Sequence, residues 1–176
     1  MNPLYKLQMI RINKLLLCLL VVTVVVGLQG AMAQDKNSKK EVKESNVENM
    51  IAERKIIFLA QSVNPSRGRT MVQLNSQYDL AISRDTVRAF LPYFGRAYTA
   101  PMDGRGGGID FISKNFEYTQ KVKKKERWEI LIKPKDVPDV RQLFLTIFTN
   151  GSASLRVLSN NRETISYNGY LKESRE

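Results

Sequence analysis

The segment Leu91-Pro92-Tyr93-Phe94-Gly95-Arg96-Ala97-Tyr98-Thr99-Ala100-Pro101 holds the densest recognition chemistry in the sequence. Three aromatic rings and one guanidinium sit among Pro and Gly residues that shape loops. A guanidinium among aromatic faces can grip an anionic or planar group, and such faces also stack on sugars, peptides and head groups. Tyr93, Arg96 and Tyr98 are therefore the candidate ligand-binding residues, joined by Arg162 and Tyr167 from near the end of the chain. A competing reading is internal. In it Tyr93, Phe94 and Tyr98 plug one end of a β layer while Arg96 satisfies backbone carbonyls.

Catalytic chemistry is harder to find. The 176 residues include no His and a single Cys. That composition leaves no His base for a Ser or Thr nucleophile, no imidazole ligand and no intrachain disulfide. Asp79, Asp85, Asp103, Asp110, Glu117 and Glu129 could supply the acid and base of glycoside hydrolysis. None stands in a recognisable motif, and most fall on polar positions of strand alternation. Gly104-Arg105-Gly106-Gly107-Gly108 lacks the Lys-Ser/Thr and the following helix of a phosphate loop, and reads as a connector. No catalytic residue, metal site or cofactor is assigned.

The leading expectation is thus a non-catalytic binding or structural domain, with a small molecule, glycan or envelope protein as its partner. Two alternatives stand beside it: a carboxylate-dependent hydrolase acting on envelope or glycan substrates, and a polyanion-binding module. The second rests on Lys121, Lys123, Lys124, Lys125 and Arg127, which straddle an expected hairpin turn. A solvated tip that discourages edge pairing is the plainer account of that run. Nucleic acid is not an expected partner.

Residues 1–33 read as a secretory signal. Lys6, Arg11 and Lys14 form a positive start, and the first acidic residue is Asp35. Leu15 to Leu28 is almost wholly apolar, and Ala31-Met32-Ala33 offers small residues for cleavage between Ala33 and Gln34. The apolar run falls short of the roughly 20 residues of a bilayer span, so no membrane span is expected after processing. Cys18 lies inside the run rather than at its end, which argues against lipidation. Removing three cations with the leader takes the formal charge from +11 to +8. The expected location is the periplasm or cell envelope, with secretion beyond it as an alternative.

The elements that must position the candidate residues are mostly strands. Residues 34–49 read as a polar linker and 50–176 as a single β-rich domain. Helical spacing of Val47, Met50 and Ile51 predicts an N-terminal helix to about Lys55, then a strand ending at Asn64-Pro65. Tyr78, Leu80 and Ile82 alternate with polar or small residues, as in a half-buried strand. Asp85 is expected to cap a helical turn through Phe90. Residues 109–113, 116–123 and 127–133 are expected to form a three-strand meander, with Trp128, Ile130 and Ile132 on one face of the last. Asn150-Gly151 predicts a two-residue hairpin with both residues at positive φ, pairing Phe148 with Ala153 and Thr146 with Leu155. Asn160-Asn161 then turns the chain into a last strand. The fold class is mainly β, α+β at most: a single antiparallel β-sandwich or half-open barrel with an N-terminal helix.

Several of these stretches also carry a resemblance. They are Leu91 to Tyr98, Gly108-Ile109-Asp110-Phe111, Asn150-Gly151, Ser159-Asn160-Asn161-Arg162 and Ile165-Ser166-Tyr167-Asn168-Gly169. Together they resemble the domain of unknown function 4251 family, found in exported proteins of Gram-negative anaerobic bacteria. The resemblance spans roughly residues 50–172 and implies export and one β-rich domain. It transfers no catalytic residue.

Cleavage after Ala33 gives the first testable outcome. Protein recovered from the envelope should begin at Gln34 by intact mass, without acyl chains on Cys18. A mass that retains residues 1–33 refutes the assignment.

Overall fold

Apolar residues recur at alternate positions through most of the chain after residue 55, and each such stretch must lay one face on a common core. The computed structural model describes residues 45–65, 70–98, 107–123 and 127–172. Its strands are β1 (Ile56–Pro65), β2 (Val72–Ile82), β3 (Val87–Leu91), β4 (Ile109–Ser113) and β5 (Phe116–Lys123), followed by β6 (Arg127–Pro134), β7 (Val140–Phe148), β8 (Ser152–Ser159) and β9 (Ile165–Leu171). They form one antiparallel sheet in the order β4-β3-β2-β1-β9-β8-β7-β6-β5, curled into a nearly closed barrel. The mainly β expectation holds, and of its two architectures the barrel is the one observed. The expected leader, its Ala33–Gln34 cleavage point, Cys18 and the linker as far as residue 44 lie outside the described residues.

The interior is built by alternation. Trp128, Ile130 and Ile132 of β6 face inward as expected, beside Leu143, Leu145 and Ile147 of β7. Leu155 and Val157 of β8, Ile165 and Tyr167 of β9, and Ile56 and Phe58 of β1 continue the same buried layer. Residues 45–53 form the N-terminal helix, which adds Val47 and Ile51 to the core. Residues 45–49, read from sequence as the end of the linker, are therefore helical. The helix stops at Arg54, whose φ of 54° lets the Lys55 N–H reach back 2.9 Å to the Met50 carbonyl. A side chain at positive φ is strained. Here the Arg54 guanidinium gains a place over the Tyr118 ring, 4.3 Å from its centroid.

The segment after Asp85 is a strand rather than a helical turn. Val87, Ala89 and Leu91 are buried while Arg88 and Phe90 are exposed, a period of two that five residues satisfy as a strand. Ser83 shapes the preceding turn: its hydroxyl accepts from the Thr86 N–H at 3.1 Å and lies 2.8 Å from the Asp85 carboxylate.

The expected meander is corrected in one respect. β5 and β6 pair, but β4 pairs with β3 at the far edge of the sheet. The chain of antiparallel pairings makes β4 and β5 run in the same direction, joined only by Lys114 and Asn115. They are two halves of one bent strand that leaves one edge and joins the other. Asp136 holds the bend. One carboxylate oxygen accepts from the N–H groups of Lys114 (2.8 Å) and Asn115 (3.1 Å), and the other accepts from the Ser113 hydroxyl. The Lys135 N–H adds a 2.8 Å bond to the Asn115 carbonyl. With these amides engaged by a carboxylate, the chain changes partner instead of reversing.

The Asn-Gly hairpin also differs in register. Ile147 pairs with Ala153, Leu145 with Leu155 and Leu143 with Val157, one residue out of step with the expectation. Only Gly151 of the dipeptide has positive φ, at 82°, and its N–H donates to the Phe148 carbonyl at 2.9 Å. Thr149, Asn150 and Gly151 therefore make a three-residue connection, a turn closed by a left-handed glycine. A one-residue slip swaps every side chain to the other face. The observed register gathers all six of those residues in the core, whereas the two-residue turn would set Leu145 against Arg156.

Two outcomes follow for stability. Gly151→Val should cost about 1–2 kcal/mol in chemical denaturation, because a β-branched residue resists positive φ. Hydrogen bonds from the Ser113 hydroxyl and then from the Lys114 N–H hold the Asp136 carboxyl below its ordinary range. Folding thus lowers that pKa, so the stabilisation is complete above about pH 4 and fades as pH falls through the folded value. Asp136→Asn should melt earlier than the natural chain at pH 7, with the gap closing in acid. Equal melting temperatures at pH 7 refute the role of the clasp.

Candidate functional site

β3 ends at Leu91, and the chain from Pro92 to Tyr98 crosses over the start of β9. A short antiparallel bridge pairs Ala97 with Arg162. The Tyr98 N–H donates to the Asn161 carbonyl at 2.8 Å, and the Glu163 N–H donates to the Arg96 carbonyl at 3.0 Å. The backbone of this loop is therefore fixed from outside itself. Tyr93 fixes it from beneath, with its hydroxyl 2.8 Å from the Arg96 carbonyl and 3.0 Å from that of Glu163. The loop folds so closely over this ring that a Cβ at Gly95 would overlap the Tyr93 oxygen. Burial, then the Glu163 charge, push the Tyr93 pKa up, so the phenol stays a donor at neutral pH.

Arg162 and Tyr167 complete the support. Arg162 is only 9% exposed, and its Nη1 donates to the carbonyls of Gly107 (2.7 Å) and Gly108 (2.9 Å). Its Nε meets the Asp139 carboxylate at 3.0 Å, and its guanidinium lies 5.3 Å from the Tyr93 ring centroid. Tyr167 is fully buried and donates to the Pro92 carbonyl at 2.7 Å. Burial drives its pKa far above the ordinary tyrosine range. The Tyr167 hydroxyl and the Nε and Nη1 of Arg162 are engaged within the protein. The carbonyl-satisfying arginine of the internal reading is thus Arg162, not Arg96.

The five candidates consequently separate into two sets. Tyr93, Arg162 and Tyr167 form an internal clamp, while Arg96 and Tyr98 stand outside it. Tyr98 is 67% exposed, and Phe94 is also exposed beside them. Asp139 belongs to the clamp. Its pairing with Arg162 joins the β6–β7 connection to the start of β9, and no local spacing in the sequence announces it. Among the described residues no cluster of His, Cys, Asp and Glu could hold a metal ion.

Comparison with known proteins adds the following. The family model described as domain of unknown function (DUF4251) matches residues 38–171. A solved crystal structure of a DUF4251 family protein from Bacteroides eggerthii DSM 20697 is similar in fold, with a TM-score of 0.55 at 14% identity. The match covers 75% of this chain and 88% of that one. No curated protein matches.

The two sets should respond differently to substitution. Tyr167→Phe leaves the buried Pro92 carbonyl without its donor and should cost about 1–3 kcal/mol. Arg96→Ala should change stability by less than about 0.5 kcal/mol, since its side chain is exposed. Denaturant unfolding of both variants checks the division, and a large loss for Arg96→Ala would move that residue into the clamp.

Proposed function

This chain belongs to the DUF4251 family, and we propose that it is an exported, non-catalytic binding domain for a sugar-containing envelope ligand, held by the Leu91–Tyr98 loop. The observation that carries this reading is the exposure of Arg96 and Tyr98 on a backbone tied down by Asn161, Glu163 and Tyr93. An exposed aromatic ring and guanidinium on a fixed backbone lose little conformational entropy when they close on a partner. A tyrosine face suits the C–H face of a sugar ring, and a guanidinium suits a carboxylate or other anion attached to it. Tyr93, Arg162 and Tyr167 serve this reading as the scaffold beneath the contact residues. Export rests on the composition of residues 1–33.

Two of the candidate carboxylates, Asp85 and Glu117, are poorly suited to act as a hydrolytic acid. A glycosidase acid must keep its proton at working pH, which requires a raised pKa. Glu53, Asp85, Glu117 and Asp136 are all shifted downward, by neighbouring lysines or by hydrogen-bond donors. Asp79 is paired with Arg88, and Glu129 with Lys123 and Arg127.

Titration calorimetry with a panel of uronate-containing oligosaccharides and their neutral counterparts tests the proposal. Arg96→Ala and Tyr98→Ala should each weaken binding about tenfold while leaving the melting temperature unchanged. Binding that survives both substitutions, or no binding to any sugar of the panel, sinks it.

A further inference from the structure

The β5–β6 hairpin has no part in the clamp or the loop. β5 begins against the core through Phe116 and Tyr118, but its last five residues, Thr119 to Lys123, are all exposed. Over these five residues the edge strand is exposed on both faces, beside a β6 that stays packed on the core. Its pairing with β6 sets Lys123 opposite Arg127, and Arg127 opposite Phe148 of β7. Val122 lies opposite Trp128. Trp128 is buried, yet Val122 is 71% exposed and Phe148 is also exposed. Two apolar side chains thus stand in solvent at one end of the sheet, Val122 on the face of Trp128 and Phe148 on the opposite face with Lys123 and Arg127.

The charges around them are unbalanced. At this end Lys121, Lys123 and Arg127 face only Glu129, whereas Lys133 and Lys135 pair with Glu117 at the other end of the hairpin. Glu129 is shared between Lys123 at 3.7 Å and Arg127 at 3.4 Å, and Lys121 makes no ion pair among the described residues. The Nε of Arg127 is enclosed and meets no acceptor among them either.

We propose that this hairpin end docks on a bilayer surface carrying anionic head groups. The cations would face the head groups, while Val122 and Phe148 would enter the boundary between head groups and acyl chains. Charge attraction and shallow apolar insertion reinforce each other at such a surface, where each Lys or Arg contributes about a fivefold gain in binding. Exposed apolar residues distinguish this partner from a soluble polyanion, which would use the cations and leave Val122 idle.

Vesicle co-sedimentation tests the inference on the chain from Gln34 onward, which contains the helix and all nine strands. The probes are phosphatidylcholine vesicles with and without one-third phosphatidylglycerol, at fixed ionic strength. The natural sequence should bind only the anionic vesicles. The double variant Lys121→Glu, Lys123→Glu should bind at least about tenfold more weakly. Val122→Ser, which keeps the charge, should lose several-fold. Both variants alter exposed side chains, and unchanged melting temperatures confirm that they fold. No preference for anionic vesicles overturns the inference, as does binding unaffected by the lysine changes. If Val122→Ser is without effect and a sulfated polysaccharide binds as tightly as the vesicles, the site belongs to soluble polyanions and the bilayer is excluded.

Discussion

A nine-stranded antiparallel sheet cannot close by pairing its two edges as antiparallel neighbours, because with an odd number those edges run the same way. The chain resolves this by making both edges from one strand. β4 and β5 are its halves, and the bend between them has to satisfy amides that neither ladder can take up. Asp136 meets that demand. It sits just past the end of β6, so the strand that pairs with β5 also delivers the group that orients it. Closure and the direction of β5 are therefore one interaction.

A second device sits in the same β6–β7 connection as Asp136. Arg162 brings a positive charge into a nearly enclosed place, which is tolerable only with an anion and acceptors to meet it. Asp139 and the two glycine carbonyls supply these, and the Tyr93 ring covers the guanidinium. The outcome is specificity of position. The β6–β7 connection, residues 107–108, the loop after β3 and the start of β9 are all tied to one side chain. A loop held in this way can show aromatic and cationic groups to solvent without collapsing onto the barrel.

Alternation made most of the strands legible in the sequence. Trp128, Ile130 and Ile132 announced their face because residues at every second position are a local property. Three features were not local. The hairpin register depended on which pairing fills the core, and an Asn-Gly dipeptide alone cannot distinguish a two-residue turn from a three-residue one ending in glycine. The meander failed because Lys114-Asn115 reads as a reversal until Asp136, distant in sequence, is seen to occupy its amides. The segment after Asp85 read as a helical turn because a capping residue was weighed above the short alternation of Val87, Ala89 and Leu91. At the candidate site, residue types identified the right neighbourhood. They could not sort inside from outside, since a Tyr-Arg pair looks the same in either setting.

The register of β9 relates the two surfaces to each other. β9 starts beside the clamp at Arg162 and ends at Leu171, whose N–H donates to the Gly151 carbonyl in the β7–β8 turn. That turn follows Phe148, which faces Arg127 at the start of β6. The aromatic loop and the cationic hairpin end thus lie at opposite ends of the barrel, separated by the length of its strands. A domain resting on a bilayer through the hairpin would hold Arg96 and Tyr98 away from that surface, toward polymers beyond the head groups. The reverse arrangement, with the loop on the membrane, would leave Lys121, Lys123, Arg127 and an exposed valine directed into solvent. The geometry favours the first orientation, since only there do both ends face chemistry that complements them.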